Sequence, residues 1–286
     1  MFRRYKLISV GSLLWILCSC AHTPQPKIAE LPTENTSFEG AISLALKPQK
    51  GQVEMTVNCS HAVTETYEQT NILHKRIEDL DFKVRTTTKN ILPNGNLLQD
   101  TETIKRDGPG SLHDLAYPEL AEVISMEIDP QGKVVKAGNY PKDSLFYLPS
   151  IPLPDHPVKQ GEEWVSSNSW KSPGSDASLT VELRLKAVGK KRCGDHLCVN
   201  IVVTGSVTFP KLPSKSHFEH GITGRFLFDQ ERGLVPWSEF LSEEQVKALG
   251  GRAVVHSKLR SELVEPRGYR TINREEPACP FATSAE

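Results

Sequence analysis

Val181-Glu182-Leu183-Arg184-Leu185-Lys186-Ala187 alternates apolar and charged residues without a break. Successive side chains on a strand point to opposite faces, so this stretch reads as a strand with one buried face and one solvated face. The same period recurs on either side. Upstream, Val53, Met55 and Val57 alternate with Gln52, Glu54 and Thr56, and Leu80, Phe82 and Val84 with Asp81, Lys83 and Arg85. Ile124, Met126 and Ile128 continue the series, with Val134-Val135 beyond them. Downstream, Val199, Ile201, Val203, Val207 and Phe209 repeat it, then Phe226 and Phe228, then Val255, Leu259 and Leu263.

Turn chemistry separates these runs: Asn94-Gly95, Asp129-Pro130-Gln131-Gly132, Asp229 to Gly233, and Gly250-Gly251. Two stretches fit helix as well as strand. Ile72, Leu73, Arg76, Ile77 and Leu80 keep helical spacing for about two turns, and Ser242-Glu243-Glu244-Gln245 has capping-box form. With about ten to twelve short strands and no strand–helix alternation, the expected class is mostly β. Antiparallel sheets would form a sandwich or an open barrel.

Leu148-Pro149-Ser150-Ile151-Pro152-Leu153-Pro154-Asp155-His156-Pro157-Val158, then Gly161-Glu162-Glu163-Trp164, interrupts the pattern. Its four prolines cannot sit in a central strand, so it is a connector, dividing residues 53–265 into halves 53–148 and 162–265 or crossing within one domain. Its Pro-Leu-Pro-x-x-Pro-Val-x-x-Gly-x-x-Trp order, flanked by Asp-x-x-Gly-x-Val hairpins, resembles uncharacterised families of exported bacterial β-rich proteins. That resemblance spans roughly residues 60–265 and implies a β fold without implying an activity.

At the start of the chain, Arg3, Arg4 and Lys6 precede the apolar run Leu7 to Leu17 and the exit Leu17-Cys18-Ser19-Cys20. A basic start, a short apolar run and small residues at the exit are the parts of a secretory signal. The run is shorter than the ~20 residues that span a bilayer as helix. Leu17-Cys18-Ser19-Cys20 resembles the lipobox of bacterial lipoproteins. The resemblance implies cleavage between Ser19 and Cys20, diacylglyceryl transfer to the Cys20 thiol and palmitate-type acylation of the new amino terminus, so residues 1–19 would be the signal peptide. Ala21 after the cysteine would favour the outer membrane in a Gram-negative host. The competing reading is a secreted protein cut near Ala21, with Cys20 left for a disulfide. Residues 20–52, with Pro24, Pro26, Pro32 and Pro48, read as a lipidated tether or as an irregular arm lying on the domain. Residues 266–286 form a tail.

The 286 residues are 38% hydrophobic and 24% charged, with net charge −1. Losing Arg3, Arg4 and Lys6 leaves 31 basic against 35 acidic residues, a net −4. That is no footprint for nucleic acid, which calls for a basic stripe. The membrane, through Cys20, is the one partner the sequence itself suggests. If Cys18 leaves with the signal and Cys20 is lipidated, Cys59, Cys193, Cys198 and Cys279 remain. Cys193-Gly194-Asp195-His196-Leu197-Cys198 brackets a four-residue turn between strands, where cross-strand Cα separations suit a disulfide. Cys59 with Cys279 then follows only by elimination. A metal site on Cys193, His196 and Cys198 fits by ligand type alone, and no cofactor motif is present.

No Gly-x-Ser-x-Gly elbow or His-Glu-x-x-His helix occurs. His217-Phe218-Glu219-His220, between Pro213 and Gly221, reads as a surface pair in a loop. Trp164, Trp170 and Trp237, with Phe226, Phe228 and Phe240, read as sheet-packing residues, or as the lining of a curved sheet that holds an acyl chain. The sequence thus favours a non-catalytic envelope lipoprotein for binding or scaffolding. A carrier of apolar ligand comes second, and a hydrolase assembled only in three dimensions third.

Overall fold

The alternating stretches all become strands: β1 (Val53–Glu68), β2 (Asn71–Ile91), β3 (Leu97–Asp107), β4 (Val123–Ile128), β5 (Val134–Ala137), β6 (Glu163–Lys171), β7 (Ser178–Cys193), β8 (His196–Thr208), β9 (His217–Asp229), β10 (Leu234–Ala248) and β11 (Gly251–Glu265). The computed structural model describes residues 35–69, 71–171, 177–194, 196–209, 217–248, 251–266 and 279. Both ambiguous stretches resolve as strand, in β2 and β10, and the strands are longer than the spacing suggested. Two 3₁₀ turns, Leu112–Leu115 and Leu145–Tyr147, are the only helical elements among the described residues.

All eleven strands join one antiparallel sheet in the order β5-β4-β3-β2-β1-β11-β10-β9-β8-β7-β6. The two halves of the sequence are therefore neither separate sheets nor the layers of a sandwich. They meet where β1 pairs with β11 from Met55 opposite Glu265 to Glu68 opposite Gly251. The proline-rich connector joins β5 to β6, the two outermost strands. Its carbonyl at Asp143 accepts from the Lys171 amide on β6 at 2.7 Å, and the Leu153 amide donates to Gln131 beside β5 at 3.0 Å. It thus lies between two edges that do not pair with each other, which is an open barrel rather than a closed one. Bulges between Thr66 and Tyr67, Lys83 and Val84, and Ala187 and Gly189 bend the sheet.

The arm before β1 belongs to this structure from residue 35 onward. Thr36 bridges to Lys190, Ile42 to Val158, and the Leu46 amide donates to Pro130 at 2.8 Å. The arm passes Gly233, whose φ of +64° and bare Cα admit it: a Cβ there would lie 2.2 Å from the Lys47 nitrogen. Leu44 is 1% exposed and packs with Leu153, Val158, Trp164, Ile201, Phe226 and Phe228. The arm and residues 151–158 of the connector together cover one end of one sheet face, the lower end of the inner face, while Asp143 reaches the other end of β6 at Lys171.

Candidate functional site

Strand register fixes what else the inner face presents. Trp164, Leu185, Val203, Gly224, Phe240, Leu259, Ser60 and Leu80 stand opposite one another from β6 across to β2. The next row up is Ser166, Leu183, Gly205, Ile222, Ser242, Ser257, Ala62 and Glu78. Gly205 and Gly224 make room for large neighbours, since a Cβ would lie 2.6 Å from Leu183 Cδ2 and 2.5 Å from Phe240 Cδ1 respectively. Glycine at such positions in a strand marks a close approach.

Above these rows the face changes character. Asn168, Val181 and Val207 continue on β6 to β8, while His220, Glu244, Val255, Thr64 and Arg76 align across β9, β10, β11, β1 and β2. Beyond them lie Trp170 and Leu179, then Phe218, Val246, Ala253 and Thr66. Ile222, Val246, Val255, Phe218, Leu179 and Trp170 are only half-buried, and none belongs to a core cluster. Every backbone hydrogen bond from the arm falls below them. The result is a trough of mixed lining, in which these apolar side chains lie among Ser166, Asn168, Ser242, Ser257 and Thr64, continuous with the core.

Four titratable groups interrupt these rows: Arg76 and Glu78 on β2, which bond each other at 2.6 Å, and His220 and Glu244 on β9 and β10. Burial pushes the Glu244 carboxyl up and the His220 imidazole down. The His220 Nε2 atom is buried and unpartnered. His220 and Glu244 sit directly cross-strand, where Cβ atoms are about 4.5–5.5 Å apart. The expectation of a histidine pair in a loop is corrected here. His217 and His220 lie in β9, and only exposed His217 behaves as a surface residue, bonding Glu219 at 2.7 Å.

A hollow of about 760 Å³ lies elsewhere, along β3, β4 and the turn after β5, lined among others by Lys89, Asp100, Glu122, Ser125, Lys136 and Tyr140. At its rim His113 Nε2 meets Glu122 at 2.6 Å and the Tyr140 hydroxyl donates to Glu122 at 2.5 Å. Burial and the Glu122 carboxylate push Tyr140 up to about 12. Burial alone would raise Glu122, but hydrogen bonds from Tyr140, His113 and the Glu119 amide outweigh it and hold it low. The nearby hydroxyls are engaged elsewhere, Ser111 with Glu119 at 2.7 Å and Ser125 with Asp100 at 2.6 Å. A phenol that stays protonated and a carboxylate saturated by donors form a structural tie, not a nucleophile with its base.

Four of the cysteines pair. Cys193 and Cys198 are bonded with Cα atoms 5.8 Å apart and pack with Leu227 and Trp237. Their sulfurs are thus not thiolate ligands, which removes the metal reading for that loop. Cys59 and Cys279 are bonded with Cα atoms 5.6 Å apart, fixing one point of the tail to β1. Ser19 and Cys20 lie outside the described residues. Trp164, Phe226, Phe228 and Phe240 pack in the lower core, Trp170 stands in the trough, and Trp237 is buried on the opposite face beneath Arg225, 4.8 Å from its ring.

Glu54, half-buried at the start of β1, is pushed by desolvation from 4.5 to about 7, partly offset by a hydrogen bond from Gln52. The folded state therefore holds this proton more tightly than the unfolded chain. Its contribution to stability is full below pH 4.5 and is lost as pH rises towards about 7. Replacing Glu54→Gln is expected to raise the unfolding free energy at pH 8 by about 1–3 kcal/mol and to leave it unchanged at pH 4. Denaturant titrations at the two pH values check this, and an equal effect at both would contradict it.

These features define a class: an all-β protein built on one open, eleven-stranded antiparallel sheet with a half-filled inner face. No family model matches the chain, and no curated protein matches it. Among solved structures, one described as lipid–protein interactions in lipovitellin aligns at 11% identity and TM-score 0.33, covering 81% of this chain and 26% of that one. This chain thus spans about a quarter of lipovitellin's length. DynF from the dynemicin biosynthesis pathway of Micromonospora chersina aligns at 9% identity and TM-score 0.22, covering 87% and 97% of the two chains. Likenesses this weak carry no argument about this protein.

Proposed function

We propose that the chain is a lipid-anchored envelope lipoprotein, tethered through Cys20, whose β-domain carries an apolar ligand in the upper trough of its inner face. The sequence reading favoured binding or scaffolding in general. One observation supports the narrower role: Ile222, Val246, Val255, Phe218, Leu179 and Trp170 continue the inner face above the core yet stay half-buried, clear of the clusters built by arm and connector. Ligand sites are typically concave and mostly apolar, with a few convergent polar groups. The connector ties both sheet edges, so the face is bounded on each side and suits an acyl chain better than the broad patch of a protein partner.

Native mass spectrometry of the Cys20→Ala protein tests the ligand. A co-purified apolar molecule is expected, and a bare polypeptide mass after mild extraction would contradict the carrier role. Palmitate labelling tests the anchor: label should vanish in Cys20→Ala, and undiminished label would refute lipidation at that residue.

A further inference from the structure

We infer that Glu244 and His220 form the headgroup site of this trough, and that the ligand is an amphiphile bearing a primary ammonium group. The inference rests on the carrier reading and adds the chemistry of the head. Glu244 and His220 face each other across β10 and β9, flanked by Ile222, Val246 and Val255 and by Ser242 and Ser257, whose hydroxyls bond each other at 2.6 Å. Among the described residues no hydrogen bond or ion pair to Glu244 is seen, and its burial is opposed by no cation. The inner-face cation aligned with it, Arg76, stands three strands away and is engaged by Glu78 at 2.6 Å.

An uncompensated carboxyl in apolar surroundings is costly, and natural sites meet that cost with a cation or with hydrogen bonds. An ammonium head supplies both. It has three donors: the carboxylate of Glu244 accepts from one, and the bare Nε2 of neutral His220 accepts from another. The Phe218 ring, 6.1 Å from the His220 ring and perpendicular to it, continues the wall on the next inner-face position of β9. A carboxylate or phosphate head would instead bring a second acid against a desolvated one, and a hydroxyl head would offer a single donor and no charge where an ammonium offers three donors and a charge. The upper inner face thus offers half-buried apolar side chains to a chain and one acidic, desolvated place to its cationic end.

The test uses the full chain in its membrane and two photoreactive probes of one chain length, a diazirine dodecylamine and a diazirine dodecanol, with the crosslinked residues mapped by peptide mass spectrometry. Both probes are expected to label upper inner-face positions, the amine more strongly. Glu244→Gln should lower the amine-to-alcohol labelling ratio by about tenfold, as loss of one charge-assisted hydrogen bond implies, while alcohol labelling persists. Because the readout is a ratio within one sample, a partly unfolded variant cannot imitate that result. His220→Ala should lower the ratio by a smaller factor. An unchanged ratio in Glu244→Gln, or equal labelling of the native chain by both probes, would overturn the headgroup assignment and leave the carrier reading standing. Failure of both probes to label the trough would overturn the two together.

Discussion

Replacing Cys59 and Cys279 together by alanine is expected to lower the unfolding free energy by about 5 kcal/mol, against about 2 kcal/mol for the Cys193/Cys198 pair. The difference follows from loop size. The bonded residues are 220 positions apart in the first pair and 5 in the second, so the first restricts a far larger part of the unfolded chain. It also secures a residue of the tail against β1, where the Cys279 backbone bonds to Glu262, a carboxyl that burial pushes up and neighbouring Arg260 pulls back. Guanidinium titrations of the two double variants measure both values. Equal losses would show that the long loop is already restricted without its disulfide.

The second large effect belongs to Phe226. Its side chain is fully buried (0% exposed) beneath Leu44 of the arm and among Trp164, Ile201 and Phe228. Phe226→Ala removes a ring from the one cluster shared by sheet, arm and connector, and should cost about 3–5 kcal/mol. Because the arm packs on that cluster, protease cleavage near Leu44 should also accelerate. A loss below about 1 kcal/mol, within the range of surface substitutions and mild repacking, would mean that the arm contributes little to the fold.

The strands were legible because most alternate cleanly between apolar and polar residues. Topology was not. Joining the halves requires β1 to find β11 across nearly the whole domain, and no local signal reports a pairing of that range. The 72–80 stretch resembled a helix because Ile72, Leu73 and Ile77, at 53%, 65% and 57% exposure, decorate an extended hairpin rather than a core, so their spacing carries no burial information. The arm was half legible: its prolines marked irregular chain, but only Gly233 and the facing carbonyls show where it lies.

The candidate site was missed for a definable reason. Pro213 and Gly221 frame His217 to His220 as a loop, yet Phe218, His220, Ile222, Gly224, Phe226 and Phe228 keep one parity, and that parity extends β9 back to the histidines. Glu244 likewise shares parity with Phe240, Ser242 and Val246. A charged residue on the apolar parity of a strand is the signal that could have found the site, since such a residue is paired, functional or strained. The disulfides divide similarly. Cys193 and Cys198 declare themselves by spacing, whereas Cys59 and Cys279 meet only because β1 adjoins β11.

Trp164 and Trp170 stand on one face of one strand, the first 8% exposed and hydrogen-bonded to Pro152 at 3.0 Å, the second in the open upper trough. Quenching by a brominated dodecyl chain, measured in proteins that retain one or the other tryptophan in the domain, tests the half-filled inner face most directly. Saturable quenching of Trp170 with Trp164 untouched is the predicted result. Equal quenching of both, or none of Trp170, would contradict a sheet covered at one end and open to an apolar ligand at the other.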